Sequence, residues 1–400
     1  MFFIAKFYDL HYTLAMNVEE KTRRKNMLYT YPDYYKEFKC IADKCQDTCC
    51  AGWQIVIDDE ALKKYKAVPD NHPFKERLSK SVDWKEKIFN RDKERRCLFL
   101  NDNNLCDLYT ALGEESLCKT CTRYPRHIEE LEEIREVSLS ISCPEVARII
   151  LSKKEPVSFW SEETDENEYF EVPDYLLQGI LLDARDVIIG ILQDRSIDIT
   201  LRLAYVWQMA VDIQDALDEG MTFTCQDILE EYSAKLPKTR VKQKIKRFFN
   251  NKKRHYKTSL KMFRMLYRLE LLNEEWAVRT DDGALTLYGR DEEDYTELSD
   301  EFDRWLVENM PNWQIQIEQV AVYFIFTYMC GAAYDGELAS KVKMSVAAVF
   351  YIRELLMAQW ANNGRNITFQ DIVDVTYKFS RELEHSDINL EELEACMNEI

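Results

Sequence analysis

Apolar side chains recur at helical spacing through the C-terminal part of the chain. One predicted helix face carries five of them at steps of three and four: Leu176, Ile180, Ala184, Val187 and Ile191. Similar patterns predict helices over Leu203–Leu217, Met262–Trp276, Val320–Cys330 and Val346–Trp360. No clear alternation of apolar and polar residues predicts a β-strand, and ten glycines in 400 residues are few for a turn-rich sheet. The pattern predicts a mainly α-helical C-terminal body.

The N-terminal part has a different character, because nine of the twelve cysteines lie between Cys40 and Cys143. Residues 161–174 are acidic, contain a proline and lack apolar periodicity, as expected of a linker. We therefore predict an irregular, cysteine-rich, metal-binding N-terminal domain packed on the helical body. The predicted division is an extension or mis-assigned start at 1–26, a cysteine-rich domain at 27–155, an acidic linker at 156–174 and a helical domain at 175–400.

Charge and hydropathy narrow the class of protein. A formal charge of −19 argues against a nucleic-acid-binding protein, which needs a basic surface. The most apolar stretch, Val320–Ala333, is shorter than the roughly 20 residues of a membrane-spanning helix, so we predict a buried helix and no membrane partner. Residues 1–26 lack the apolar run of a secretory signal, which predicts a cytoplasmic protein. A basic block at 235–257 and an acidic block at 281–303 are interpreted as solvated surfaces, which could also pair with each other.

The cysteines themselves carry the strongest chemical signal. Without a secretion signal they do not indicate a disulfide scaffold, and thiolates are soft ligands for zinc or an iron–sulfur cluster. Spacings such as Cys45-x3-Cys49 and Cys118-x2-Cys121 let two sulfurs of one loop reach one metal centre. The candidate metal ligands are Cys40, Cys45, Cys49, Cys50, Cys97, Cys106, Cys118, Cys121 and Cys143. The remaining cysteines, Cys225, Cys330 and Cys396, are interpreted as small buried side chains.

The identity of the metal is less strongly indicated. Zinc sites usually show two regular pairs of Cys or His ligands, whereas these spacings are irregular and exceed one tetrahedral site. The pattern therefore favours a 4Fe–4S cluster, with zinc as the alternative or as a second metal. The Cys-x3-Cys-x2-Cys motif of radical S-adenosylmethionine enzymes is not met, because Cys50 directly follows Cys49.

The chain resembles the flagellin lysine-N-methylase family, which is related to the CxxCxxCC-type zinc- or iron-chelating proteins. The N-terminal matches are Tyr34-Tyr35-x2-Phe38-x-Cys40, Cys45-x3-Cys49-Cys50-Ala-Gly-Trp53, Cys118-x2-Cys121-x2-Tyr124-Pro125-Arg126 and Ser142-Cys143-Pro144-Glu145. The C-terminal matches are Tyr323-Phe-Ile-Phe-Thr-Tyr328, Tyr334-Asp335-Gly336 and Ser380-Arg381-Glu-Leu-Glu-His385-Ser386. The resemblance covers about residues 27–390. It implies methyl transfer from S-adenosylmethionine to flagellin lysines, and a cysteine-bound iron–sulfur cluster.

The sequence departs from expectation in two respects. Four residues separate Cys40 from Cys45 where the plain pattern has two, so the ligand set is open. The chain also lacks the G-x-G-x-x-G turn of a Rossmann-like sheet, so S-adenosylmethionine is expected to bind a helical pocket. The group that removes the proton from lysine is not identified.

Several residues beside the cysteines or in the C-terminal motif are candidates for binding or structural roles. Arg126 could hold a ligand carboxylate or form an ion pair under the cluster. Trp53 is expected to shield the metal site or to stack on adenine. His127 is expected to be packed or at the surface, and Glu145 to stabilise a helix start. His385 could assist a proton transfer or form an ion pair with a neighbouring glutamate.

Other functions remain open at this point. A non-enzymatic protein that chelates or senses zinc or iron would need the same cysteines, although the long helical body exceeds what chelation requires. An electron-transfer protein is a further alternative. No features indicate the oligomeric state.

Overall fold

The computed structural model describes residues 26–165, 174–234 and 238–400. The predicted extension at 1–26 therefore lies, apart from its last residue, outside the described residues. The same is true of residues 166–173 in the predicted acidic linker.

The C-terminal part is helical, as predicted. Its helices are α6 (Tyr175–Gln193), α7 (Ile199–Asp218), α8 (Thr222–Ala234), α9 (Lys238–Asn250), α10 (Lys252–Met265), α11 (Glu274–Tyr288), α12 (Glu292–Asn309), α13 (Trp313–Tyr328), α14 (Ala332–Asp335), α15 (Leu338–Asn362), α16 (Phe369–Glu384) and α17 (Asp387–Met397). Helix α15 packs against α7, α11, α13, α16 and α17 and forms the centre of the body. Helix α13 is buried on nearly all sides, which explains its uninterrupted apolar sequence. No described helix is long and apolar enough to cross a membrane.

One predicted helix is wrong. The segment Met262–Trp276 is not continuous, because α10 ends at Met265 and α11 begins at Glu274. The Asn273 side chain accepts a hydrogen bond from the backbone of Glu275 and caps the new helix. The apolar spacing continues across the break because both flanking segments face the same core.

The structure also contains β-strands that no alternation of apolar and polar residues had indicated. A four-stranded sheet has the order β4–β5–β1–β6, with β1 (Met27–Pro32), β4 (Arg126–Leu131), β5 (Ile134–Leu139) and β6 (Phe159–Thr164). Strand β1 is parallel to β5 and antiparallel to β6. Residues 159–164, predicted as linker, thus belong to the sheet.

Strand β5, inside the sheet, lacks an apolar sequence pattern because it carries buried charged residues. Arg135 and Glu136 of β5 are each 2% exposed. Glu136 accepts a charge-assisted hydrogen bond from Arg185 of α6, which is itself buried. Because the charge is paired, the strand can be buried without being apolar.

The remaining N-terminal elements are short. They are α1 (Asp59–Ala67), α2 (Lys75–Ser81), β2 (Val82–Asp83), β3 (Ile88–Phe89), α3 (Asp107–Leu112), α4 (Lys119–Arg123) and α5 (Pro144–Ser152). We call the apolar cluster formed by buried residues between Ile55 and Cys118 the smaller core. The sheet and α5 instead contribute to the main core of the helical body. The main core therefore contains residues from both the predicted cysteine-rich domain and the predicted helical domain.

A partly buried histidine lies in an aromatic cluster between the basic and acidic blocks. The ring of His255 lies 4.9 Å from that of Phe249 and 5.6 Å from that of Tyr295, centroid to centroid. Burial, followed by the charge of Arg353, lowers the pKa of His255 from 6.5 to about 4. His255 is therefore neutral at pH 7.

Acidification is expected to destabilise the fold through His255. Between pH 6.5 and 4 the unfolded chain binds this proton and the folded chain does not, so stability falls as the pH falls through 6.5. At pH 5.5 the loss from this residue is about 1 kcal/mol. Urea unfolding of the wild type and His255→Asn at pH 7.5 and 5.5 measures it. Equal pH dependence in the two proteins would contradict the assignment.

Candidate active-site cleft and cysteine groups

The nine N-terminal cysteines lie in two groups that meet at Cys49 and Cys50. The first group packs in or against the smaller core and consists of Cys50, Cys97, Cys106, Cys118 and Cys121. We call residues 40–53 the first cysteine loop. The second group lies where this loop approaches the start of α5, and it consists of Cys40, Cys45, Cys49 and Cys143. In this second group Cys49 is within electrostatic range of Cys40 and Cys143, and Cys143 of Cys45. Adjacent residues in the chain thus contribute to different groups.

Backbone contacts hold the first group in place. The amide of Cys97 donates a hydrogen bond to the carbonyl of Cys50, at 2.7 Å. Cys118 precedes α4 and Cys121 lies within it, so their thiols are close enough to hydrogen-bond. The two thiols of the predicted Cys118-x2-Cys121 pair are therefore close because both belong to the first turn of this short helix.

Arg381 of α16 ties the second group to the helical body. Its guanidinium forms an ion pair with the carboxylate of Asp47, which lies between Cys45 and Cys49. It also donates to the carbonyl of Asp47 at 2.6 Å and to the carbonyl of Ser142 at 2.9 Å. One side chain thus holds the first cysteine loop and the residue before Cys143.

The thiols respond to burial and to each other. Burial raises the pKa of Cys97 to about 12 and that of Cys143 to about 11. A hydrogen bond from the Cys49 thiol lowers the pKa of Cys50 to about 7. Thiols whose pKa is raised in this way are protonated at neutral pH, and a bound metal ion would favour their thiolate forms.

The cysteine groups do not form a preformed metal site in the described part of the chain. Among residues 26–165, 174–234 and 238–400, no group of three or more His, Cys, Asp or Glu side chains is placed so that it could hold a metal ion. The donors fit a soft metal in kind and in number, since a cluster takes about four thiolates. Their sulfurs would have to move toward one point to bind it. The metal-binding character of the N-terminal domain therefore stays a prediction.

A cavity of about 930 Å³ separates the first cysteine loop from the helical body. Its N-terminal wall contains Asp47, Ala51, Gly52, Lys93, Glu94 and Arg95. Its C-terminal wall is built by the start of α11, by α15 and by α16. The lining carries charges of both signs, and we call this cavity the cleft.

Helix α16 gives the cleft one wall through a single face. Five of its residues or of its C-cap line the cleft at helical spacing: Asp371, Lys378, Arg381, Glu382 and His385. The capping box of Thr368 with Asp371 fixes where this helix begins. Three residues of the motif Ser380–Ser386, namely Arg381, Glu382 and His385, thereby face the cleft.

His385 links the cleft to buried polar groups. Its Nε2 lies 3.0 Å from the hydroxyl of Ser142, and burial lowers its pKa to about 3. Its ring packs 4.6 Å from that of Trp53. The ion pair with a neighbouring glutamate that we considered is therefore wrong, because Glu384 instead accepts a hydrogen bond from Tyr323, at 2.9 Å.

The sequence-predicted cofactor residues lie outside the cleft lining. Arg126 donates to the hydroxyl of Tyr35, at 3.1 Å, and lies beside the ring of Phe38. The indole N–H of Trp53 donates to the carbonyl of Cys49, at 2.7 Å. Trp53 thus covers the junction of the two cysteine groups, and shielding of a metal there stays a prediction.

The structure also places Glu145, His127 and the three isolated cysteines. Glu145 lies in the first turn of α5, after Pro144, where we expected it to stabilise the helix start. His127 packs against Tyr328, with 5.7 Å between ring centroids. Cys225, Cys330 and Cys396 are buried, which confirms their interpretation as small core side chains.

Sequence reasoning missed Glu382. It lines the cleft, is 3% exposed and accepts a hydrogen bond from the backbone of Leu272, at 2.9 Å. The signal was present in the motif around His385, but the sequence alone did not show which of its acidic residues faces a cavity.

The C-terminal part of the chain matches a known protein family. Residues 185–400, which include most of the helical body and one wall of the cleft, match the family described as FliB lysine N-methylase C-terminal domain. Since this match covers more than half of the chain, the protein belongs to that family.

Curated relatives carry related names. The chain is 33% identical to the lysine-N-methylases of Salmonella typhimurium and Salmonella choleraesuis over 149 residues, 35% of this chain and 36% of each relative. It is 30% identical over 150 residues to the flagellar biosynthetic protein FliU of Salmonella muenchen, covering 86% of that protein. The chain thus spans about a third of the length of the two lysine-N-methylases. No solved structure matches the chain significantly.

Proposed function

We propose that this protein transfers methyl groups from S-adenosylmethionine to lysine side chains of flagellin in the cytoplasm. Membership of the FliB lysine N-methylase family supports the reaction class. The names of the relatives, a lysine-N-methylase and a flagellar biosynthetic protein, support a flagellar substrate. The proposal also includes a relation between this chain and the CxxCxxCC-type zinc- or iron-chelating proteins.

The observation that carries this proposal is the cleft between the cysteine loop and the family domain. Its volume of about 930 Å³ lies within the range of cofactor-sized sites. Its mixed charges suit a donor that carries a sulfonium, an ammonium and a carboxylate, and an acceptor that carries an ammonium. Its walls are helices and loops, in agreement with the absence of a Rossmann turn.

The cleft offers separate groups for these charges. Arg279 and Lys378 are cations that would hold the donor carboxylate. Glu274 and Asp282, which are exposed at the same cavity, would attract the lysine side chain. Gln359 donates to Asp371 and accepts from Arg279, so it fixes both of these neighbours.

We further propose that the second cysteine group, Cys40, Cys45, Cys49 and Cys143, binds a 4Fe–4S cluster. Four thiols match the usual number of ligands. When bound, the cluster would supply iron ions whose charge keeps these thiols ionised and fixes the loop against α16. Zinc is the alternative metal, and the first group could hold a second one.

The proposal is tested by methyl transfer with anaerobically purified protein reconstituted with iron and sulfide. Methyl-labelled S-adenosylmethionine is expected to label the lysines of flagellin from the same organism. Flagellin whose lysines have been acetylated is the control and should remain unlabelled. A holo-protein that leaves native flagellin unlabelled would overturn the proposal.

Cysteine variants test the cluster separately. Cys49→Ser is expected to lose most of the bound iron and the methyl transfer. Cys225→Ser, a buried cysteine of α8 remote from both groups, should keep both. Iron and acid-labile sulfide per chain are the measurements, and unchanged iron in Cys49→Ser would contradict the assigned ligand set.

The clustered thiols also favour a second function, the chelation or sensing of zinc or iron. That function predicts stoichiometric metal binding without methyl transfer to any flagellin. The labelling experiment therefore separates the two.

A further inference from the structure

Methylating a lysine requires that its ammonium first lose a proton, because only the neutral amine is nucleophilic. In water this proton leaves near pH 10.4, so at pH 7 an enzyme gains from a base close to the nitrogen. Such a base must face the cleft, be free of a permanent cationic partner and titrate near the working pH.

The structure contains several carboxyl groups at the cleft, and most are otherwise engaged. Asp47 is paired with Arg381, and Asp371 forms the capping box of α16 with Thr368. Glu275 lies 3.6 Å from Lys378 and is largely exposed. The remaining exposed acids are Glu94, Glu274 and Asp282. Water competes for the lone pairs of an exposed carboxylate, so these acids are less suited to accept a proton from a bound ammonium.

Glu382 differs from all of these by its burial. Its side chain is 3% exposed and still contributes to the cleft wall. The backbone amide of Leu272 donates to one carboxylate oxygen, at 2.9 Å, and the Asn389 side chain donates to the Glu382 carbonyl, at 2.5 Å. These contacts hold the carboxyl group in one place at the wall.

The charges around Glu382 come from each side of the cleft. Arg95 reaches over from the cysteine-rich segment and donates to the carbonyl of Leu272. Glu270 faces Glu382 from the loop before α11 and is itself held by Ser386. Burial raises the pKa of Glu382 to about 7, while the backbone amides and Arg95 lower it and Glu270 raises it. The Glu382 carboxyl group can therefore gain or lose a proton near neutral pH.

We propose that Glu382 is the catalytic base that accepts the proton of the substrate lysine. This inference rests on the proposed methyl transfer. The lysine ammonium gives one proton to the carboxylate, which becomes a neutral carboxylic acid. The nitrogen lone pair then forms the N–C bond as the S–C bond of the sulfonium breaks, and the sulfur keeps that electron pair. The product is a methylated ammonium and a neutral thioether.

The substitution Glu382→Gln keeps the size and the acceptor for the Leu272 amide but cannot accept the proton. We expect kcat to fall by a factor of about 10² to 10⁴ at pH 7, with KM changed less than about threefold. Asp374→Asn is the matched control, since Asp374 lies on the same helix outside the cleft lining and hydrogen-bonds Gln370. It should keep kcat.

A pH profile distinguishes proton transfer from a structural role. In Glu382→Gln, raising the pH from 7 toward 10 should recover much of the lost kcat, because lysine then deprotonates in solution. Glu382→Asp should retain more activity than Glu382→Gln. A pH-independent loss, or a loss of folded protein in urea unfolding, would overturn the assignment of a base.

The outcomes also separate this inference from the proposed function. If the wild type labels flagellin and Glu382→Gln keeps its kcat, the inference fails and methyl transfer stands. If the wild type transfers no methyl group, the proposed function fails first. Rate measurements at saturating S-adenosylmethionine, with flagellin varied, give the required kcat and KM.

Discussion

Arg381→Ala is expected to lower the free energy of unfolding by about 3–5 kcal/mol, as for other partly or fully buried ion pairs that lose one partner. The guanidinium binds the carboxylate and carbonyl of Asp47 and the carbonyl of Ser142. Its side chain is 13% exposed, so water does not replace these contacts fully. The substitution would leave the Asp47 charge and two carbonyls short of donors.

Arg381→Lys is the informative comparison for this prediction. A lysine keeps the charge but cannot bind the three acceptors as a planar fork. We expect it to recover only part of the stability. Urea unfolding measures the free energies, and Arg304→Ala, an exposed arginine of α12, is the control. A loss below about 1 kcal/mol in Arg381→Ala would show that water satisfies these groups.

Glu318→Gln is expected to cost a similar amount, about 3–5 kcal/mol, because it leaves two cations without a counter-charge. Glu318 of α13 is fully buried and accepts hydrogen bonds from Arg195 at 2.8 Å and from Arg202 at 2.8 Å. Arg202 is 1% exposed. The three residues join α13 to α7 and to the loop before it.

The control for this substitution is Glu308→Gln on the exposed side of α12. It should change stability by less than about 0.5 kcal/mol. Thermal and urea unfolding of both variants give the comparison. Equal stabilities of Glu318→Gln and Glu308→Gln would contradict the stabilising role of the buried Glu318 carboxylate.

The helical body could be predicted from sequence because its helices present continuous apolar faces. Val320–Cys330 covers the second half of α13 and the short turn after it, and Val346–Trp360 lies within α15, as their spacing indicates. The break at Asn273 was missed because a capping side chain interrupts the backbone without interrupting the apolar spacing. Strand β5 was missed because Glu136 is buried as an ion pair with Arg185, and a hydropathy pattern cannot show a partner that is distant in sequence.

The candidate site was predictable in part. The cysteines were identified by number and spacing, yet their division into two groups depends on the folded structure, in which only the first group packs in or against the smaller core. The motif ending at His385 was noted as a resemblance, whereas its position on the cleft follows from how α16 packs beside α11 and α15. Glu382 could not be distinguished from Glu384 in the sequence, since the two differ only in the direction that each takes from the helix.

The adjacent cysteines at 49 and 50 fix the alignment of the first cysteine loop. Because Cys49 faces the second group and Cys50 the first, a shift of the loop by one residue would exchange the thiols between the groups. The same shift would withdraw Asp47 from Arg381. The loop therefore has one register in which both cysteine groups are complete and the cleft keeps its wall. The spacing from Cys45 to Cys50 determines that register.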